Sequence, residues 1–297
     1  MRLLAAAVLL VLGVVASPAQ AAGAAGGTTD RTTDRTTGSG AVAADTIEAH
    51  YKVAGPWAVA TADAPGVRLY YPANLGEGGF KHPIITWGNG TNAVPTQYSG
   101  VLNQLASWGF AVVASTDTTT GTGSEMIAAA QYLIDRNADS SSVFHDKLDV
   151  TRVGAVGHSQ GAGGSVNTAT KSGGLIDTVV PIALPAPIWV SSGDAFSVSR
   201  LTCPVLFLSG ANDVIISPNS AIQTYYGQVP GAAAKALLKG ADHNTVQGTG
   251  GGFLGYLTAW LMYRLQDDAY ARGAFAGATP EINTNASWQN QAEKNLP

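Results

Sequence analysis

Apolar and polar positions along this chain switch between a period of two and a helical period, and the switches mark out its elements. Short β-prone runs at Trp57–Thr61 and Val67–Tyr71 are separated by Pro65-Gly66, which predicts an opening hairpin. Pro83-Ile-Ile-Thr-Trp87 has a buried-strand pattern and ends in Gly88-Asn89-Gly90-Thr91. Helical spacing runs from Tyr98 to Trp108, and Phe110–Ala114 follows as a strand. Ser124 is the expected cap of a helix running to about Arg136, with Glu125 favourable in its first turn. Val153–Val156 is the next strand, leading through small residues into a stretch able to form a helix. Thr178–Leu184 is also strand-like, although Pro181 argues against a central position. Pro204–Ser209 is a stronger strand and runs into Gly210-Ala-Asn-Asp213. Ser220–Tyr226 reads as helix and Ala234–Leu238 as the last strand, followed by Gly240-Ala-Asp-His243. Phe253–Leu265 has helical spacing and should pack on the sheet, whereas the tail to Pro297 is polar and weakly patterned. Strands alternating with helices predict an α/β fold: a doubly wound, mostly parallel sheet with helices on both faces, opening with antiparallel strands.

Composition changes this picture mainly at the N-terminus. Met1-Arg2, the apolar run Leu3–Val15 and Ala19-Gln20-Ala21 have the layout of a secretory signal peptide over residues 1–21. The run is too short to span a bilayer, and no cysteine follows it closely, so no stable membrane anchor is expected. Residues 22–45 are Ala, Gly, Thr and Asp/Arg repeats that cannot form a core and read as a disordered linker. Residues 46–297 are left as a single domain of ordinary size, folded from near Ile47. The expectation is a secreted, extracellular monomer. Lys+Arg 16 against Asp+Glu 20 gives a net charge of -4 with no basic block, which argues against nucleic acid as a partner. Cys203, the only cysteine, excludes an intrachain disulfide and reads as a buried small residue beside Pro204. No His/Cys/Asp/Glu spacing suggests a metal, and no cofactor is called for.

The chemistry concentrates at Gly157-His158-Ser159-Gln160-Gly161, a G-x-S-x-G set between a strand and a helix. In a chain with 36 glycines the pentapeptide alone is weak, so its context decides. Such a turn forces Ser159 into strained angles, demands glycine two residues to either side, and sets the Gln160 N–H at a helix N-terminus. In doubly wound sheets the loops after the carboxyl ends of the strands form the site. Three such loops carry, in chain order, Ser159 as nucleophile, Asp213 as acid and His243 as base. Asp242 adjoins His243, but sequence neighbours seldom aim side chains at each other; Asp117 precedes the nucleophile. His158 should point into the core. The oxyanion hole would use the Gln160 N–H and the N–H of Asn89 or Gly90, and Trp87, Trp189 and Ile215 are candidates for the walls of the cleft.

These residues carry a family resemblance. Gly157-His-Ser-Gln-Gly-Ala-Gly-Gly164 resembles the G-H-S-M-G-G-G-G elbow of secreted bacterial cutinases and polyester-hydrolysing lipases, including actinobacterial PET hydrolases. Leu105–Val113, Asp117-Thr-Thr-Thr120, Val205–Asp213 and Ala241-Asp-His243 are similar to that family's corresponding segments, over about residues 65 to 265. The resemblance implies the α/β-hydrolase fold and a serine esterase or lipase. There are departures. Gln160 stands for Met, Gly88-Asn-Gly-Thr91 replaces a G-Y-T segment and its aromatic clamp, Trp189 is out of register with the family's Trp, and the C-terminal disulfide is absent.

The expected function is a carboxylic ester hydrolase (a cutinase-like esterase or lipase) that takes a lipid or polyester substrate through an acyl-enzyme. A polysaccharide acetyl or feruloyl esterase is the nearest rival, followed by a serine peptidase and a non-catalytic binding protein on the same fold.

Overall fold

Neighbouring side chains in a strand point to opposite faces, and the central strands of this chain are apolar on both, so the sheet carries two cores. In the computed structural model, which describes residues 46–297, Ile85 and Trp87 fall in one core and Ile84 in the other. Likewise Val112 and Ala114 are separated from Ala111 and Val113, and Leu206 and Leu208 from Val205 and Phe207. The expected signal peptide and linker lie outside the described residues.

The described chain runs α1 (Ile47–Lys52), β1 (Val59–Ala64), β2 (Val67–Pro72), β3 (His82–Gly88), α2 (Ser99–Ser107), β4 (Ala111–Ser115), α3 (Ser124–Ala138) and β5 (Leu148–His158). It continues through α4 (Gln160–Lys171), β6 (Thr178–Ile182), β7 (Val205–Gly210), α5 (Asn219–Gln228), β8 (Ala233–Leu238), α6 (Leu254–Leu265), α7 (Ala269–Arg272) and β9 (Trp288–Lys294). The strands form one sheet in the order β1-β2-β4-β3-β5-β6-β7-β8-β9. It is parallel from β4 to β8 and antiparallel at both ends. Helices α2 and α6 cover one face, and α3, α4 and α5 the other. This is the doubly wound α/β sheet that the alternation predicts.

Three local expectations need correction. Pro181 sits in a central strand between β5 and β7: the β6–β7 ladder is made at Val179 N–H to Pro204 O and Ala183 N–H to Leu208 O, and Pro181 falls between them where a donor is missing. Ser124 does not cap α3; Gly123 (φ 82) is the cap position, and the Thr122 hydroxyl accepts from the Ser124 N–H and donates to Glu125. The polar tail is not irregular throughout, because β9 pairs antiparallel with β8. Its single fully buried side chain is Trp288, and its lysine and glutamate positions face partly to solvent, so no apolar period betrays it.

Candidate active site

Ser159 is the one residue between β5 and α4, with φ 56 and ψ -119, a conformation that costs a non-glycine residue of order 1–3 kcal/mol. The turn is held by close backbone approaches. A Cβ at Gly157 would lie 2.1 Å from the Gly161 carbonyl oxygen, and one at Gly161 would lie 2.2 Å from that of Gly88. The elbow also anchors to the neighbouring strand through Ser159 N–H to Ile182 O, 3.0 Å.

Two further loops meet the elbow. His243 Nε2 lies 2.9 Å from Ser159 Oγ, and His243 Nδ1 lies 2.5 Å from Asp213 Oδ2. Asp213, 4% exposed, follows β7, and its other oxygen accepts from the N–H groups of Ile216 (3.2 Å) and Ser217 (3.1 Å). Burial alone would raise its pKa. The hydrogen bond and charge of His243, together with those two N–H groups, outweigh burial and hold the carboxyl below its ordinary value. Asp242 turns instead to its own loop, accepting from the Asn244 N–H and the Thr245 hydroxyl.

A second, largely buried network lies beneath. The Gly90 N–H donates to Tyr98 Oη (3.0 Å), and Tyr98 Oη lies 2.9 Å from His158 Nδ1. His158 Nε2 is 2.7 Å from the His243 carbonyl oxygen, which can only accept. His158 therefore carries its proton on Nε2, and the Tyr98 hydroxyl donates to Nδ1. Burial, reinforced by the nearby His243, pushes the His158 pKa down to about 3, so this imidazole stays neutral. It ties the loop after β3 to the loop carrying His243.

The network also engages one of the candidate oxyanion donors. Gly90's N–H is already engaged, which removes it from the oxyanion candidates. Asn92 N–H donates to Thr118 O and Ala93 N–H to Gly90 O. Thr91 has no such partner for its N–H among the described residues, and it lines the cleft beside Ser159 and Gln160. Asn89 is buried and acts as a buttress, its amide nitrogen donating to the carbonyls of Ser115 and Asp117. The Gln160 N–H opens α4 and so has no partner within the helix.

The cleft has a volume of about 390 Å³. Trp189 lines it, 54% exposed, with its indole N–H donating to Ile215 O at 2.8 Å. Trp87 does not: it lies within β3 rather than in the loop after it, points into the core and packs 5.0 Å from Tyr98. Ile215 contributes its carbonyl while its side chain is 66% exposed. The turn that brings Ile216 N–H to Asp213 rotates Ile215 outward and sets Ile216 on the wall.

Residues 27–294 match the family described as PETase, PET hydrolase-like. The chain belongs to that family. Membership accords with the α/β-hydrolase fold described above and bears out the resemblance drawn from the elbow and its flanking segments. The bis(hydroxyethyl) terephthalate hydrolase of Streptomyces coelicolor is 28% identical over 260 residues, covering 78% of each chain. Cutinase est2 of Thermobifida alba is 26% identical over 210 residues, covering 68% of this chain but 65% of its own length, just under two thirds. A cutinase of Thermobifida fusca is 25% identical over 216 residues.

Within the family frame, Thr91, Asp194 and Phe196, like Ile216, are cleft residues that escape sequence reasoning. Thr91 sits one position along a glycine-rich loop in which adjacent N–H groups look alike in sequence, and Phe196 lies on an irregular segment. Asp194 comes from the same segment; its Oδ2 accepts from Gln160 Nε2 (2.9 Å) and Ser191 Oγ (2.9 Å). No local motif announces these last two, because only the path of the loop between β6 and β7 brings them to Ser159. Among the described residues no cluster has the makings of a metal site, and no helix is long and apolar enough to cross a membrane.

Proposed function

We propose that this chain is a secreted serine hydrolase of carboxylic esters, cutinase-like, that works through a Ser159–His243–Asp213 triad and an acyl-enzyme. His243 takes the Ser159 proton as Oγ attacks the ester carbonyl. The tetrahedral oxyanion is held by the N–H groups of Gln160 and Thr91, and His243 then protonates the departing alcohol. Water, deprotonated by the same imidazole, attacks the acyl-enzyme and releases the acid. Asp213 fixes the tautomer with Nε2 towards Ser159 and stabilises the imidazolium. No cofactor or metal enters these steps.

The observation that carries the reading is His243 within hydrogen-bond reach of both Ser159 and Asp213, at 2.9 and 2.5 Å. The leader at residues 1–21 supports secretion, and residues 46–297 would act as one catalytic domain without a stable membrane anchor, as a monomer. The substrates named for the relatives, together with an open cleft walled by Trp189, Phe196 and Ile216, support a lipid or polyester ester as substrate.

The test is hydrolysis of p-nitrophenyl acetate through decanoate by the mature chain, with and without a serine-directed phosphonate. Ser159→Ala should fold normally, escape labelling and lose turnover by roughly 10⁴–10⁶-fold. Asp213→Asn should lose roughly 10⁴-fold through the wrong tautomer. Near-normal turnover by Ser159→Ala would remove it from the mechanism, and a larger loss in Asp242→Asn than in Asp213→Asn would reassign the acid.

A further inference from the structure

Among the described residues Asp194 is the one carboxylate on the wall of the cleft, and no lysine or arginine lines it. It is firmly held. Its carboxylate accepts from Gln160 and Ser191, its carbonyl oxygen accepts from Asn167 Nδ2 (3.2 Å), and its Cγ would lie 2.4 Å from a Cβ at Gly121. The Gln160 amide that grips it belongs to the residue following the nucleophile, so the charge is fixed close to the reacting carbonyl. It also sits against the N-terminal end of α4, where the helix dipole would otherwise attract an anion. Both of its donors, the Gln160 amide and the Ser191 hydroxyl, are neutral groups, so the carboxylate's charge is held in place without a cation to cancel it.

We propose that Asp194 is a specificity-determining residue that repels esters bearing a free carboxylate. The inference rests on the esterase reading of the same cleft and names the substrate class within it: esters uncharged at both ends. Hydrolysis of a dicarboxylic diester gives one alcohol and a half-ester acid, and the half-ester, anionic at neutral pH, rebinds poorly. Half-ester therefore accumulates before diacid.

The experiment measures kcat/KM for diethyl adipate and monoethyl adipate by pH-stat at pH 7.5, for the wild-type chain and Asp194→Asn. The amide oxygen of asparagine can still accept from Gln160 and Ser191, so the change removes charge and little else. The diester-to-half-ester ratio should fall about tenfold in Asp194→Asn, as expected for one unit charge in a partly screened site. In the wild-type chain alone, the same ratio should fall between 20 mM and 500 mM NaCl, a readout that a structural role would not move. A ratio that is unchanged by the substitution, or flat with salt, overturns the charge role even with the diester turning over. No diester turnover by the wild-type chain defeats the esterase reading, and this inference with it.

Discussion

A neutral, buried imidazole at position 158 ties acid stability to the site. An ordinary histidine titrates at 6.5, and His158 at about 3, because burial and His243 both oppose its charge. Between those values the unfolded chain binds a proton that the native state refuses. The stabilisation is therefore whole above 6.5 and is lost as pH falls towards 3, by up to about 1.4 kcal/mol per pH unit. His158→Asn should be less stable at neutral pH yet lose that part of the acid slope. Urea midpoints from pH 4 to 7 would show it, and parallel slopes for the two proteins would refute the assignment. The sequence revealed that His158 points into the core. The relay through Tyr98 to Gly90 was invisible there, because Tyr98, on the turn leading into α2, meets His158 at the end of β5 only in the folded chain, 60 residues away.

At the scale of elements, the elbow depends on how near β3, β5 and α4 approach. A Cβ at Gly161 meets the Gly88 and Asn89 carbonyls at 2.2 and 2.5 Å, and backbone cannot give way cheaply. Gly161→Ala should therefore cost more than about 3 kcal/mol or abolish folding, whereas Gly227→Ala, on α5 with open space around it, should add up to about 1 kcal/mol. Thermal melts of the two variants separate a steric glycine from a merely flexible one; similar melts would contradict the packing argument. The elbow's glycines were legible because their spacing from the serine is local. Pro181 misled for the opposite reason: whether a missing N–H matters depends on which neighbour the strand acquires.

For the molecule as a whole, the decisive element is the last strand. β9 covers the edge of β8, and Trp288 fills the adjoining core against Phe253 and Tyr256, with its indole N–H donating to Glu48 at 2.8 Å. Glu281 accepts from the N–H groups of Ile47 and Glu48, so the C-terminal segment caps α1. Trp288→Ala should cost about 3–5 kcal/mol by the cavity it leaves, and should promote association through the loosened β8 edge. Urea unfolding and light scattering test both effects; a loss below about 1 kcal/mol would make β9 an accessory.

What this chain's sequence determined by itself was what short-range pattern can carry. The periods of two and 3.6 laid down the order of strands and helices, and hence the doubly wound sheet. The glycine spacing around Ser159 marked the elbow, and the order Ser159, Asp213, His243 marked the three residues that the fold brings together, because each follows a strand whose carboxyl end must face the same edge. The tertiary structure alone decided what depends on loops meeting. Thr91 rather than Gly90 offers its N–H because Tyr98 has already bound Gly90. Ile216 rather than Ile215 lines the wall because Asp213 winds its own loop. Asp194 enters the cleft because Gln160 holds it there, across 34 residues of chain that no local pattern spans.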